Sequence, residues 1–201
     1  KRLWPLSNSA RCKQFLQLLQ APDGQKESMV QRVVRQIGES SLDTSVTVVS
    51  GASQRDSIEI QLGPKVVSVI EPERRHTFPA IALATAHLTM EQGCSRDEVV
   101  VVVPSDTYAE ADYYDTIAHM VALVERDAAD LVLMGISPTR PSTKFGYVVP
   151  GDVKEGYLSV SRFTEKPDKQ GAKELLAQGA YWNAGVFAFR LGYLMDIVEQ
   201  Y

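Results

Sequence analysis

The sequence predicts an α/β fold built on a mostly parallel sheet. Short runs of apolar, β-branched residues alternate with segments that have the apolar spacing of helices. Five consecutive valines, Val99 to Val103, are typical of a strand that is buried on both faces of a parallel sheet. After Pro138 the pattern changes to strands separated by turns. Together these observations predict a Rossmann-like central sheet with helices on both faces, and a mixed sheet in the second part of the chain.

Each element follows from its own pattern. Apolar runs predict strands at 46–49, 66–70, 99–103 and 131–134. Helical spacing predicts helices at 26–37, 78–84 and 111–126. In the later part, strands are expected at 144–150, 157–163 and 182–189, with a helix at 170–178. We expect Thr77 to cap the second helix and Pro79 to lie in its first turn.

The composition indicates one globular unit. Of the 201 residues, 44% are hydrophobic and 23% are charged, which is enough apolar surface for a core without disulfides. We predict a single catalytic core over 1–201, with a nucleotide-binding half at about 1–137 and an incomplete sugar-phosphate-binding half at 138–201.

Charge and cysteine usage exclude several classes of protein. The net charge of −4 and the lack of a basic block argue against a nucleic-acid partner. No apolar run reaches the roughly 18 residues of a membrane span. Cys12 and Cys94 are far apart and lack metal-ligand spacing, which favours a reducing, cytoplasmic location. A homo-oligomer is left open.

Asp106 is the strongest local candidate for function. In open α/β sheets, ligands bind at the carboxyl ends of the strands, and Asp106 follows the valine strand directly. A carboxylate there can hold Mg²⁺ on a triphosphate. The alternative is an ordinary N-cap for the following helix. Gly51, Ser53 and Gln54, which follow the first strand, are expected near a bound base because of that position.

Cations near the start of the chain form a second candidate group. Arg2 can bind phosphates in bidentate fashion, and Lys13 can act as a point charge on a phosphate. The alternative is a pair of solvated surface cations.

Polar residues in the second half form the third group. Glu165 and Lys166 are adjacent in a predicted strand and should face opposite sides unless a bulge turns both inward. The alternative is an exposed, charged strand end. Asn183 lies inside an aromatic strand and needs a backbone or ligand partner. Gly146 can expose its amide to a ligand.

The order and spacing of these segments resemble the sugar-1-phosphate nucleotidyltransferases, and most closely the mannose-1-phosphate guanylyltransferases. The matching segments are Arg2-Leu3-Trp4-Pro5-Leu6-Ser7, Lys13-Gln14-Phe15, Glu71-Pro72 with Arg75, Thr77 and Pro79, Pro104-Ser105-Asp106, Gly135-Ile136 with Gly146-Tyr147, Glu165-Lys166-Pro167, and Trp182-Asn183-Ala184-Gly185. The resemblance covers essentially the whole chain.

The resemblance implies transfer of a guanylyl group from GTP to mannose 1-phosphate, with Mg²⁺ as cofactor. Arg2 and Lys13 would be catalytic, and Asp106 would be the metal ligand. Arg2 would also contact the nucleotide together with Gly51, Arg75, Thr77 and Pro79. The sugar phosphate would be bound by Gly146, Glu165, Lys166 and Asn183.

The family pattern also has features that this sequence lacks. Its Gly-rich phosphate loop would precede Lys1, and its second metal aspartate would follow Tyr201, so we expect a chain truncated at both ends. Cys12, His76 and Thr107 stand where the family commonly has Pro, Asn and His. Alternatives are the same chemistry with glucose 1-phosphate and UTP or dTTP, or a non-catalytic subunit that senses nucleotide sugars. A dehydrogenase-type dinucleotide domain lacks its Gly-x-Gly-x-x-Gly.

Overall fold

The structure is a computed structural model that describes residues 12–73 and 75–200. The chain divides into two compact units. Val132–Phe187 forms the second unit, and the described residues on either side of that segment form the first. The α/β class is confirmed, because helices and strands alternate as predicted. The predicted single core, with halves meeting near residue 137, stays a prediction.

The first unit contains strands in two separate pairs and a further strand. Its helices and strands are β1 (Leu19–Gln20), β2 (Lys26–Glu27), α1 (Met29–Glu39), β3 (Thr47–Gly51), α2 (Arg55–Leu62), β4 (Val67–Glu71), α3 (Thr77–Met90), β5 (Val99–Val102) and α4 (Ala111–Glu125). β1 and β2 are antiparallel. β3 and β4 are parallel and in register from the pair Thr47 and Val67 to the pair Gly51 and Glu71, so both strands end at the same edge.

The second unit is a mixed sheet with one helix. Its elements are β6 (Leu131–Ile136), β7 (Tyr147–Lys154), β8 (Tyr157–Thr164), α5 (Lys169–Ala177) and β9 (Tyr181–Arg190). β7 is antiparallel to both β8 and β9, and β6 also pairs with β9. The last three residues of β9 belong to the first unit, where helix α6 (Leu191–Gln200) follows them. The predicted mixed sheet is therefore confirmed.

Each unit has its own apolar cluster. In the first, Val30 of α1 packs with Ile58 and Leu62 of α2, and Phe15 and Val48 lie against them. In the second, Tyr147 packs with Ala172, Leu175 and Ala180. Full burial of one aliphatic side chain of this size stabilises a fold by about 1.5–3 kcal/mol, so these clusters stabilise the packing within each unit.

Helix starts show where local signals succeed and fail. α1 begins with a capping box, in which the Gln31 backbone amide donates to Ser28 Oγ and the Ser28 backbone amide donates to Gln31 Oε1.

The prediction that Thr77 caps α3 was wrong. The N-cap is His76, which has a φ of 73° and makes no side-chain cap, and Thr77 is the first helical residue. His76 occupies a backbone region that favours glycine, and residue type alone did not indicate this.

The valine strand is shorter and less buried than expected. β5 ends at Val102, and its four residues are partly exposed. The prediction of complete burial on both faces was therefore wrong. Among the described residues, no helix is long and apolar enough to cross a membrane.

Candidate active site

Lys13 and Asp106 form an ion pair in the first unit. Lys13 begins a short 3₁₀ turn, Lys13–Phe15, and Asp106 lies four residues beyond the end of β5. The ammonium of Lys13 donates to Oδ2 of Asp106. Two residues that are 93 positions apart in the sequence thus meet. Lys13 is therefore more than a solvated cation.

The structure excludes the alternative role of Asp106 as a helix cap. Helix α4 begins at Ala111, and its N-cap is Glu110. Asp106 lies before that cap, and its side chain is about one third exposed, at 35%. A partly exposed carboxylate after a strand, next to a lysine, fits a role in ligand binding better than a role in helix capping.

A hollow of about 240 Å³ opens at this edge of the first unit. It is lined by residues from the carboxyl ends of β3 and β4, from the segment after β5, and from the turn that carries Lys13. The lining residues are Cys12, Gln14, Phe15, Val30, Val48, Val49, Ser50, Gly51, Gln54, Glu71 and Ser105. Gly51 is thus found where the sequence placed it, at a strand end that faces a cavity.

Gln54 builds one wall of this hollow. It is almost fully buried, at 3% exposure. Its Oε1 accepts from the Gly51 amide at 3.2 Å, and its Nε2 donates to Ser53 Oγ at 2.9 Å and to Cys12 Sγ at 3.3 Å. Gln54 therefore ties the end of β3 to the residue before Lys13. Its amide is used by the protein itself, which gives it a structural role.

Glu71 is the carboxylate that lines the hollow. It is the last residue of β4, opposite Gly51 in the parallel register, and it is partly buried. The sequence indicated Glu71 as the end of a strand where a ligand is expected and as part of a matching segment, but it gave this residue no individual role.

The other nucleotide-side candidates lie outside the lining of this hollow. Arg75 is 70% exposed, and its guanidinium donates twice to Glu73 Oε2, at 2.7 and 3.2 Å. Thr77 and Pro79 lie at the exposed start of α3. Arg2 lies outside the described residues. The nucleotide-binding roles of these four residues stay predictions.

The second unit brings the sugar-side candidates together. The backbone N–H of Asn183 donates to the backbone carbonyl of Gly146 at 2.8 Å. A Cβ placed on Gly146 would lie 2.8 Å from Oε2 of Glu165 and 2.9 Å from the Phe163 ring. Both atoms are the ends of side chains that would have to shift for a larger residue to fit. Gly146 is itself buried, so the expectation of an exposed amide was wrong, and its role in sugar-phosphate binding stays a prediction.

Glu165 and Lys166 face each other, not opposite sides of a strand. β8 ends at Thr164, so strand alternation no longer applies. Lys166 has a φ of 40°, and its ammonium donates to Oε1 of Glu165. Both side chains are more than half exposed. The expectation of opposite faces was wrong because the strand ends one residue before the pair.

Asn183 has a backbone partner, one of the two predicted possibilities. Its Oδ1 accepts from the Gly185 amide at 3.0 Å, and Gly185 has a φ of 73°. This bond engages only the oxygen of the amide. The nitrogen keeps its donor capacity for a sugar hydroxyl.

Aromatic rings lie around the sugar-side candidates. The sequence assigned no role to Phe145 or to Arg140. Phe145 and Trp182 have ring centroids 4.8 Å apart, and the Arg140 guanidinium lies 5.9 Å from the Trp182 centroid. Phe145 and Phe163 remain partly exposed, at 39% and 47%. Arg140 and Phe145 flank the Gly146 segment in sequence, and that proximity was the available signal.

The family follows from the whole chain. The sequence model described as "Nucleotidyl transferase" matches residues 1–200. The chain belongs to the nucleotidyl transferase family. The resemblance inferred from the motifs is thereby confirmed at the level of the family.

Named relatives of this nucleotidyl transferase match over its whole length. The alginate biosynthesis protein AlgA of Pseudomonas fluorescens is 32% identical, and the chain covers 41% of that protein. The xanthan biosynthesis protein XanB of Xanthomonas campestris is 34% identical, with 42% covered. The mannose-1-phosphate guanylyltransferase of Sinorhizobium fredii is 31% identical, with 39% covered. The chain thus spans about two fifths of the length of these relatives.

Solved structures agree with this assignment. A protein described as mannose-1-phosphate geranyltransferase from Thermus thermophilus superimposes with a TM-score of 0.84 at 26% identity, covering 99% of this chain and 56% of that one. A UDP-glucose pyrophosphorylase structure has a TM-score of 0.63 at 14% identity, with 94% of this chain and 72% of that one covered, and shows the shared fold alone.

Proposed function

We propose that this chain is the catalytic part of a mannose-1-phosphate guanylyltransferase. An oxygen of the mannose 1-phosphate attacks the α-phosphorus of GTP. The bond between that phosphorus and the bridging oxygen to the β-phosphorus breaks, and GDP-mannose and pyrophosphate result. The observation that carries the proposal is the Lys13–Asp106 pair, found next to a hollow at the strand ends in a chain that matches its family from end to end.

The reaction requires two anions to meet, so positioned cations are its main need. Lys13 is half exposed, at 52%, and can turn its ammonium to the α-phosphate when nucleotide enters. Arg2 would neutralise the departing pyrophosphate. Lys166 would hold the phosphate of the sugar. No covalent bond between enzyme and substrate is needed.

Asp106 fits a Mg²⁺ ion that arrives with a triphosphate. Mg²⁺ is usually held by one or two carboxylates together with substrate phosphates. Within residues 12–73 and 75–200, no three His, Cys, Asp or Glu side chains form a metal-binding group. When bound, Mg²⁺ neutralises part of the charge on the triphosphate. Asp106 supplies the protein oxygen that fixes where this complex lies.

Glu71 supports guanine as the base. Guanine presents two neighbouring N–H donors, at N1 and N2, and one carboxylate can accept both. Uracil and thymine present a single N–H between two carbonyl oxygens, which a carboxylate repels. Glu71 lies in the hollow at the end of β4, beside the backbone of Gly51. We therefore assign the base to this hollow.

The second unit supplies contacts that suit a sugar. The exposed carboxylate of Glu165 and the side-chain nitrogen of Asn183 can bind hydroxyl groups, and the missing side chain of Gly146 leaves room for the Glu165 carboxylate. The exposed face of Phe163 offers an apolar surface for the sugar ring. In this proposal the reaction takes place in the cytoplasm, and it is consistent with this that the described cysteines, Cys12 and Cys94, form no disulfide.

The test is a matrix of substrates with the purified protein and Mg²⁺. GTP, UTP and dTTP are each combined with mannose 1-phosphate and glucose 1-phosphate, and pyrophosphate and nucleotide sugar are measured. We expect GDP-mannose as the main product. Asp106→Asn should lower turnover by about 10²–10³-fold. Asp115→Asn, an exposed change on α4, should leave turnover unchanged.

Two results would overturn the proposal. A larger yield with another triphosphate and sugar pair would reassign the substrates. Binding of GDP-mannose without metal-dependent pyrophosphate release for any pair would identify a sensing subunit.

A further inference from the structure

The segment 107–110 joins Asp106 to helix α4 and has no regular secondary structure. Only its last residue, Glu110, takes part in regular structure, as the N-cap of α4. The position of Asp106 therefore depends strongly on contacts that side chains make with this segment. Tyr113 of α4 interacts with Thr107, and helix α1 supplies two further contacts.

Gln36 of α1 contacts the segment directly. Its Nε2 donates to the Ala109 carbonyl at 3.0 Å, across 73 positions of sequence. Its Oε1 accepts from the hydroxyl of Tyr114 at 3.3 Å, and Tyr114 is buried in the first turn of α4. One amide thus connects three elements: α1, the segment after Asp106, and α4.

Arg32 holds the same segment from one turn earlier on α1. Its guanidinium lies 5.6 Å from the centroid of the Tyr108 ring. Its Nε donates to the buried Glu27 at 3.0 Å, and its NH2 group donates to the Gln20 carbonyl at 3.2 Å. The anchor on α1 is therefore itself fixed.

The two contacts differ in how firmly they position Asp106. Tyr108 is 76% exposed, and a cation–π contact in that setting is screened by water. The Gln36 bond is partly buried and fixes a backbone atom three residues from Asp106. A partly buried hydrogen bond from a side chain to a backbone carbonyl defines position more narrowly than a stacked surface ring, so Gln36 is the more important anchor.

We infer that Gln36 is a positioning residue for the candidate active site. By holding the Ala109 carbonyl against α1, it keeps Asp106 directed at Lys13 and able to receive a cation. The predicted effect of Gln36 on turnover rests on the proposed function. The predicted effect of Gln36 on the segment 107–110 is independent of that function.

The test uses Gln36→Met, which keeps an unbranched side chain of similar length and removes both hydrogen bonds. Hydrogen–deuterium exchange should rise in the peptide that spans 105–110 and stay unchanged in β3 and β4. The affinity for Mn²⁺, used as a probe without nucleotide, should weaken about 3- to 10-fold. kcat should fall by a similar factor, and KM for mannose 1-phosphate should not change.

Two further variants separate the contacts that Gln36 makes. Gln36→Glu keeps the acceptor for Tyr114 but loses the donor to Ala109, so it should behave like Gln36→Met. Tyr114→Phe removes only the hydroxyl and should have a smaller effect. Gln170→Met changes an exposed glutamine of α5 and serves as the matched control.

The outcomes distinguish this inference from the proposed function. Wild-type exchange and Mn²⁺ affinity in both Gln36 variants would overturn the inference, whatever the turnover. If the wild-type protein releases no pyrophosphate with any substrate pair, the proposed function fails, while the exchange and Mn²⁺ measurements still decide the role of Gln36. If Gln36→Met unfolds, Gln36→Glu carries the same test, because it also removes the donor to Ala109.

Discussion

Replacing Lys13 with methionine should change metal affinity and turnover in opposite directions. The Lys13 ammonium is paired with the carboxylate of Asp106, which is the proposed ligand of Mg²⁺. The lysine and a divalent cation therefore compete for Asp106 when no nucleotide is present. With nucleotide present, Lys13 is needed on the α-phosphate.

The magnitude follows from the exposure of the pair. The two side chains are 52% and 35% exposed, so their attraction is screened and contributes about 0.2–1 kcal/mol. Loss of the ammonium should tighten Mn²⁺ binding by about 1.5- to 5-fold, because each 1.4 kcal/mol is a factor of about ten. Loss of a charge that is directed at a transition state costs about 10²–10³ in turnover. The thermal midpoint should move little.

The assay combines a Mn²⁺ titration followed by electron paramagnetic resonance with pyrophosphate release under saturating substrates. Lys65→Met removes an exposed lysine from the turn after α2 and serves as the matched control. Unchanged or weaker Mn²⁺ binding in Lys13→Met would refute the competition. Turnover within about threefold of wild type would remove Lys13 from the mechanism.

Three further changes test the rest of the molecule. Glu27→Gln should destabilise the fold by about 3 kcal/mol at neutral pH, because Glu27 is buried and accepts from Arg35 and Arg32. The hydrogen bond from Arg35 is the main cause that holds the pKa of Glu27 below its usual 4.5, so this stabilisation is complete above pH 4.5 and is lost as the pH falls through the lower folded-state pKa. Denaturant unfolding of both proteins between pH 3 and pH 8 checks this, and a gap that stays constant down to pH 3 would contradict it. Glu71→Gln should lower the preference for GTP over UTP by about 10- to 100-fold, as measured by the ratio of kcat/KM values, whereas the exposed change Glu59→Gln should leave it unaltered. Glu165→Gln should raise KM for mannose 1-phosphate by about tenfold with little change in kcat; an unaltered KM would exclude Glu165 from the sugar site.

The sequence predicted the ends of β3, β4 and β5 to within two residues, because a continuous apolar run marks a strand and stops where the chain leaves the sheet. The run that ends near Val103 placed Asp106 correctly after a strand, although β5 ends one residue earlier. Gly51 was found at a cavity for the same reason. These positions depend on local pattern and on the rule that ligands bind at carboxyl strand ends.

The start of α3 could not be predicted in this way. A threonine followed by a proline two residues later is an ordinary cap signal, yet the cap is His76 in a left-handed conformation. Such a conformation costs energy locally and is imposed by the surrounding chain. The identity of residue 77 does not indicate that the surrounding chain holds His76 in this conformation. The same holds for Lys166, whose positive φ turns it toward Glu165.

Gln36 was missed for a different physical reason. It looks like an ordinary polar residue on the surface of a helix, and its partner Ala109 lies 73 positions away in the sequence, so no local pattern contains the pair. Gln54 was expected near a base because it follows a strand, but its bond to Cys12, 42 positions away, could not be predicted from that position. Both act through backbone or neighbouring atoms, on the segment after Asp106 and on the residue before Lys13. Charged site residues can be found in a sequence because the reaction requires their charge. A supporting amide only has to lie within hydrogen-bond distance of its partner, and the sequence does not show that distance. The residues that position a site of this kind should therefore be sought among buried amides near the ends of its strands.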